Sequence, residues 1–320
     1  MSESRVLVTG ASGFVGSALV AKLLADDRFI PVSAIRGLSR GVLPVGHISY
    51  DLESGISVEA LQGIDTIVHA AARVHVMEGS GSDDLEAFRR ANVEGTLRLA
   101  RSAVQAGVRR FIFISSIKVN GEHTSPGKPF TSSDLPAPVD AYGVSKSEAE
   151  QALRALALCT GLEVVIIRPP LVYGPGVKAN FERMLGWVYS GVPLPFGSIS
   201  NKRSLVALDN LLDLIVLCIQ HSAAPGNTFL VSDGEDLSTT QLLRCVAQSL
   251  GVRSTILPVP QRILSMCFIL MGKRALATRL CGSLQVDISD TREQLGWTPP
   301  VKVQQALDAV ARHYQGTKKR

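Results

Sequence analysis

The chain has 320 residues, 46% of them hydrophobic and 19% charged, with a formal net charge of +5. That balance excludes a disordered chain and allows a large core in one or two domains. The basic residues are scattered apart from the tail Lys318-Lys319-Arg320, which reads as a solvated terminus, so nucleic acid is not an expected partner.

In chain order, residues 5–8 predict a strand and 17–24 a helix. Strands follow at 31–35, 66–69 and 111–114, with helix at 85–106 between the last two. A further strand at 164–167 follows the helix that carries Lys146. Strands alternating with helices imply a parallel sheet covered on both faces, and near-continuous apolar strands agree with burial on both sides. After Pro169 the pattern loosens. Pro169-Pro170, Gly174-Pro175-Gly176 and the stretch from Pro193 to Gly197 punctuate short elements, including a strand at 228–231. The expected fold is therefore α/β: a doubly wound parallel sheet of Rossmann type in residues 1–168, and a smaller C-terminal α/β substrate lobe in 169–320, with the chain crossing between them.

No signal peptide is expected, because strand-like residues begin at Arg5. Five cysteines, with no C-x-x-C pair, suit reduced thiols in a cytoplasm. The apolar run 263–271 is too short to span a bilayer, so no integral membrane segment is expected. It reads as a buried helix, with contact to a membrane surface or a partner left open.

Two motifs carry the chemistry. Thr9-Gly10-Ala11-Ser12-Gly13-Phe14-Val15-Gly16 follows a strand and opens a helix. Glycines there permit a tight turn and a close approach to phosphates, and the helix N-terminus favours their charge. The spacing is G-x-x-G-x-x-G. A single glycine would mean an ordinary strand–helix turn; three in register point to a dinucleotide. The second strand ends Ala34-Ile35-Arg36, with Arg40 nearby and no carboxylate to take the ribose hydroxyls of NAD. Arg36 is the candidate reader of a 2′-phosphate, so NADP(H) is favoured, with NAD(H) as the alternative.

The second motif, Tyr142-Gly143-Val144-Ser145-Lys146, places a phenol and an ammonium one helical turn apart. A free phenol titrates near ~10, and an adjacent ammonium favours phenolate. Tyr142 is thus the candidate acid–base, with Lys146 lowering its pKa and holding the nicotinamide ribose. Ser116, or its neighbour Ser115, is placed to hydrogen-bond the reacting oxygen. No metal site is expected.

With these motifs in order, the chain resembles the extended short-chain dehydrogenase/reductases, in the branch of nucleotide-sugar 4-epimerases, 4,6-dehydratases and 4-keto reductases. The resemblance covers nearly the whole chain. It implies that Asp51-Leu52 contacts adenine, that Ala70, Ala71 and Ala72 after His69 line the cofactor, and that Asn92 supports the site. It places Pro169 on the cofactor, in the segment joining cofactor and substrate, and Leu171 and Asn180 on the substrate. Phe196 matches an aromatic near the nucleotide base, and Arg203 an arginine on the substrate diphosphate, with Arg279 as a second basic ligand. Gly296-Trp297-Thr298-Pro299 resembles the C-terminal signature. A UDP-sugar and a homodimer through the helices at 85–106 and 142–158 are further implications.

Departures from the pattern narrow the reaction. Dehydratases carry Asp-Glu after the catalytic hydroxyl, where this chain has Ile117-Lys118, which excludes water elimination by that route. Val119-Asn120-Gly121 replaces the Val-Tyr-Gly common in epimerases, and Leu171 replaces an asparagine. The stretch from Ser115 to Glu122 is similar to a bacterial branch labelled UDP-glucose 4-epimerase that includes 4-reductases of UDP-4-keto-6-deoxy-N-acetylhexosamines, which serve O-antigen or capsule synthesis. The reductase is the favoured expectation and the 4-epimerase with tightly held NAD the alternative. A non-catalytic cofactor-binding protein on the same fold is disfavoured by the retention of Ser116, Tyr142 and Lys146.

Overall fold

A computed structural model of the chain describes residues 3–36, 46–74, 81–125, 127–272 and 274–318. Arg40, Lys319 and Arg320 lie outside them. Strand β1 (Ser4–Thr9) runs into helix α1 (Phe14–Leu24), then β2 (Phe29–Ile35), β3 (His47–Ser49) and β4 (Thr66–His69). Helix α2 (Gly81–Phe88) continues through a π-helical turn, Arg89–Glu94, into α3 (Gly95–Gln105), followed by β5 (Arg110–Ile114), α4 (Ala141–Thr160) and β6 (Glu163–Arg168). The chain goes on through β7 (Leu171–Tyr173), α5 (Ala179–Tyr189), β8 (Arg203–Ala207), α6 (Leu208–Gln220), β9 (Thr228–Leu230) and β10 (Asp236–Leu237). It ends with α7 (Thr239–Leu250), α8 (Gln261–Leu270), α9 (Arg274–Cys281), α10 (Ser289–Leu295) and α11 (Val303–Lys318).

The large sheet is parallel throughout, in the order β3-β2-β1-β4-β5-β6-β9. Successive residues of its apolar strands feed opposite cores, as a period of two requires. Val6, Val8, Ile112, Ile114, Val165 and Ile167 pack on the α1 and α6 side, whereas Leu7, Ile67, Phe111, Phe113, Val164 and Ile166 pack on the α3 and α4 side. The order reverses between β1 and β4, which opens a crevice at their carboxyl ends. A small sheet, β10-β8-β7, and a separate core under α5, α7 and α11 lie beyond it.

Three local expectations change. The strand predicted at 228–231 is β9, and it closes the edge of the large sheet beside β6 instead of joining the smaller lobe. A three-residue apolar strand carries no sign of which sheet it joins; here the open edge of β6 decides. The helix predicted at 85–106 begins at Gly81 and is interrupted by the π-helical turn that holds Asn92. The run 263–271 is not buried: Leu264 is the one buried residue of α8, while Met266 and Leu270 are 58% and 79% exposed. Hydrophobicity alone read as burial, but the neighbouring elements cover only one face.

Candidate active site

The turn after β1 is built by close approach. Gly13 N–H donates to Gly10 O (2.8 Å), and Gly10 has a φ of 67°. A Cβ at Gly16 would stand 2.2 Å from Gly10 O, and one at Gly10 would stand 2.9 Å from the Ala71 nitrogen. Helix α1 starts at Gly13 with no side-chain cap and no acidic residue in its first turn, leaving N–H donors and the positive end of the dipole for an anion. Ser12 is exposed and Phe14 and Val15 are half-buried at this end. Across the crevice Ala70, Ala71 and Ala72 form the half-buried segment after β4. This cradle fits a dinucleotide diphosphate.

Asp51 and Leu52 lie in a turn after β3, where Gly55 N–H donates to Asp51 O (2.8 Å). Gly95 at the start of α3 admits that turn, because a Cβ there would meet Leu52 O at 2.3 Å. Arg36 is exposed directly after β2, and no ion pair involves it among the described residues.

Beneath the crevice runs a directed chain of hydrogen bonds that sequence reading did not find. The Thr96 hydroxyl donates to Asn92 O (2.7 Å), so it accepts from His69 Nε2 (3.0 Å). His69 Nδ1 therefore accepts from the Thr9 hydroxyl (2.7 Å), whose oxygen also accepts from Ala71 N–H (3.1 Å). Burial, with Lys146 nearby, holds His69 neutral by lowering its pKa to about 3. Asn92 completes the link. Its amide donates to Ser145 Oγ and to Arg73 O, both at 3.0 Å, and its oxygen accepts from Arg73 N–H (2.8 Å). The glycine turn, the segment after β4 and helix α4 are thereby one unit.

Asp140 caps α4 by accepting from Gly143 N–H (2.7 Å). One turn separates Tyr142 from Lys146, as the spacing predicts, but their electrostatics differ from the expectation. Lys146 Nζ donates to Ile114 O (2.8 Å) and lies 4.3 Å from the centre of the Phe113 ring. Burial lowers its pKa to about 7, against the pull of Glu150. The Tyr142 phenol, 6.0 Å from Phe88 in an edge contact, is raised by burial and then by Asp140. The protein alone does not make Tyr142 acidic, because burial and the Asp140 charge both favour the neutral phenol.

Ser116 is half-buried at the end of β5, and its oxygen accepts from Lys118 N–H (3.3 Å). Ser115 points elsewhere and is corrected from its substrate reading. It is buried and donates to Glu150 Oε1 (2.5 Å). Arg168 grips the same carboxylate through Nε (2.9 Å) and Nη2 (2.5 Å), and donates through Nη1 to Asn120 (2.9 Å). Asn120 thus serves a buried ion pair. Glu150, one turn beyond Lys146, was the available signal for it. Pro169 O accepts from Ile117 N–H (2.9 Å), fastening the joining segment to the serine turn. The Lys118 ammonium bridges Asp140 and Glu122.

Of the remaining candidates, Leu171 is 50% exposed at the start of β7, and Asn180 is exposed in α5. Phe196 is buried in the second core, packed with its neighbours Leu194 and Ile199. Arg203 is half-buried, donates to Gly282 O (3.1 Å), and has its pKa lowered by burial and by the charge of Arg279. The charge of Glu122 acts on Arg203 in the opposite sense.

Residues 6–232 match the NAD dependent epimerase/dehydratase family. The chain belongs to that family. It is an enzyme of the short-chain dehydrogenase/reductase type. It is 48% identical to a UDP-glucose 4-epimerase of Vibrio cholerae over 97% of this chain and 95% of that protein. The structure of MoeE5 in complex with UDP-glucuronic acid and NAD is similar, with a TM-score of 0.79 at 25% identity, covering 98% of this chain and 100% of that one. The fold is shared with a UDP-glucuronic acid 4-epimerase from Bacillus cereus in complex with NAD, with a TM-score of 0.78 at 21% identity and 98% of each chain covered. The family's cofactor chemistry and the cradle at Gly10, Gly13 and Gly16 agree.

Proposed function

We propose that this enzyme is an NADPH-dependent reductase of a UDP-4-keto-6-deoxy-N-acetylhexosamine, acting at C4 in the synthesis of surface polysaccharide. The observation that carries this reading is Arg36, exposed after β2 where an NAD enzyme needs a carboxylate. A reduced nicotinamide cofactor, held at the turn of Gly10, Gly13 and Gly16, would supply the hydride for C4. Ser116 holds the C4 oxygen, and the Tyr142 hydroxyl delivers the proton to it. Lys146, one helical turn beyond Tyr142 on α4, would hold the nicotinamide ribose. Arg203 and Arg279 hold the diphosphate, whose charge relieves their mutual repulsion. Residues 1–168 mainly hold the dinucleotide and 169–320 mainly the nucleotide sugar. A homodimer through α2, α3 and α4, and a reducing cytoplasm for five free cysteines, complete the reading.

A second reading, 4-epimerisation of a UDP-hexose or UDP-N-acetylhexosamine with retained NAD, is favoured by the 48% identity to the Vibrio cholerae protein. The deciding experiment mixes purified enzyme with NADPH and UDP-4-keto-6-deoxy-N-acetylglucosamine, with a Tyr142→Phe control. NADPH consumption equal to sugar product supports the reductase. Its absence, together with equilibration of UDP-N-acetylglucosamine with its 4-epimer, supports the epimerase.

A further inference from the structure

Between Asp236 and Asp287 the chain contains no Asp or Glu, but it does contain Arg244, Arg253, Arg262, Lys273, Arg274 and Arg279. The local charge exceeds the +5 of the whole chain. The apolar helix α8 stands inside this stretch. Ile263, Met266 and Leu270 fall at i, i+3 and i+7, on one face, and are 49%, 58% and 79% exposed. Ile269 and Met271 extend the exposed area, while Leu264 turns inward on the opposite side. The base of the α8–α9 pair is closed by Gln261 Nε2 donating to Cys281 O (3.0 Å), and the next residue, Gly282, accepts from Arg203. The exposed helix therefore rises beside the segment that Arg203 holds at Gly282.

A second copy of the chain is a poor occupant for this face. Across a twofold axis the same carboxylate-free stretch would confront itself, and like charges would oppose the contact. Apolar side chains flanked by arginines instead match an anionic lipid surface, with the apolar groups in the acyl boundary and the cations among phosphates. The helix is about 15 Å long, half the ~30 Å hydrocarbon core, so it can lie in an interface but not cross it. Among the described residues, no helix is long and apolar enough to cross a membrane.

We propose that α8 docks this enzyme on an anionic phospholipid bilayer, with Ile263, Met266 and Leu270 in the interface and Arg262 among the headgroups. The substrate mouth then works beside the membrane surface. This proposal stands on the surface of α8 and is independent of which sugar is turned over.

The test is flotation of the full chain with vesicles of phosphatidylcholine plus phosphatidylglycerol, against phosphatidylcholine alone. The expected result is salt-sensitive binding to the anionic vesicles, weakened at least about tenfold in the double variant Met266→Glu with Leu270→Glu. Leu135→Glu, which changes an exposed leucine in the loop before α4, is the control and should bind as wild type. Circular dichroism and cofactor binding check that the variants are folded. Three results overturn the proposal: no binding of wild type to anionic vesicles, equal binding by the folded double variant, or a wild-type dimer in light scattering that the double variant abolishes without any vesicle binding.

Discussion

Asn92 donates to Ser145 across 3.0 Å, joining the π-helical turn to the helix that carries Tyr142 and Lys146. The same side chain makes two further bonds to the Arg73 backbone. A π-helical turn is costly and recurs at functional sites. Here it aims one buried amide at two segments at once.

Asn92→Ala should therefore act on both stability and turnover. It leaves the Arg73 N–H and C=O without their partner, at about 1–3 kcal/mol for an unsatisfied buried group. The denaturant midpoint should fall, and kcat should fall with it as α4 loosens. Wild-type kcat at a reduced midpoint would show that the link to Ser145 is structural only.

His69 predicts a pH dependence. Its folded pKa of about 3 lies below the ordinary 6.5, so the unfolded chain takes up the proton first. Stability is full above pH 6.5 and is lost as pH falls towards 3, by up to about 1.4 kcal/mol per pH unit. Lys146 does not contribute in that window. Its folded pKa of about 7 lies below 10.5, so its effect is a gain in stability as pH rises between those values. Urea denaturation of wild type and His69→Gln between about pH 4 and 5.5 reads the difference; the variant should lose close to one proton's worth of slope.

Gly16→Ala should damage cofactor binding while leaving the sheet intact. The added Cβ would stand 2.2 Å from Gly10 O, so the turn must open. Strain of about 1–3 kcal/mol corresponds to roughly ten- to hundredfold weaker binding. Calorimetric titration with cofactor checks this, with thermal unfolding as the control.

Arg36→Asp should reverse cofactor preference. A charge-assisted bond to the 2′-phosphate is worth about 1.5–3 kcal/mol, so NADP(H) affinity should fall roughly ten- to hundredfold while NAD(H) holds or improves. Unchanged affinities would remove Arg36 from the site and favour the retained-NAD reading.

The glycine turn and the Tyr142–Lys146 pair were legible in the sequence because each depends on local geometry. A positive φ, a helix N-terminus and one helical turn involve residues close in the chain. The large sheet was legible because its strands are short apolar runs separated by amphipathic helices. Non-local choices were not legible. Whether Ser115 or Ser116 faces the cleft depends on Glu150 and Arg168 on two other elements.

By itself, then, the sequence determined the parallel fold, the glycine cradle and the Tyr142–Lys146 spacing, all of which follow from backbone periodicity and residue type. Only the tertiary structure decided which groups share a proton or a charge. It committed Lys146 to Ile114, tied Arg203 to Gly282, seated Phe196 in the core and left α8 uncovered. The physical reason is that hydrogen bonds, Coulomb interactions and burial depend on distance in space, and the partners come from segments far apart along the chain.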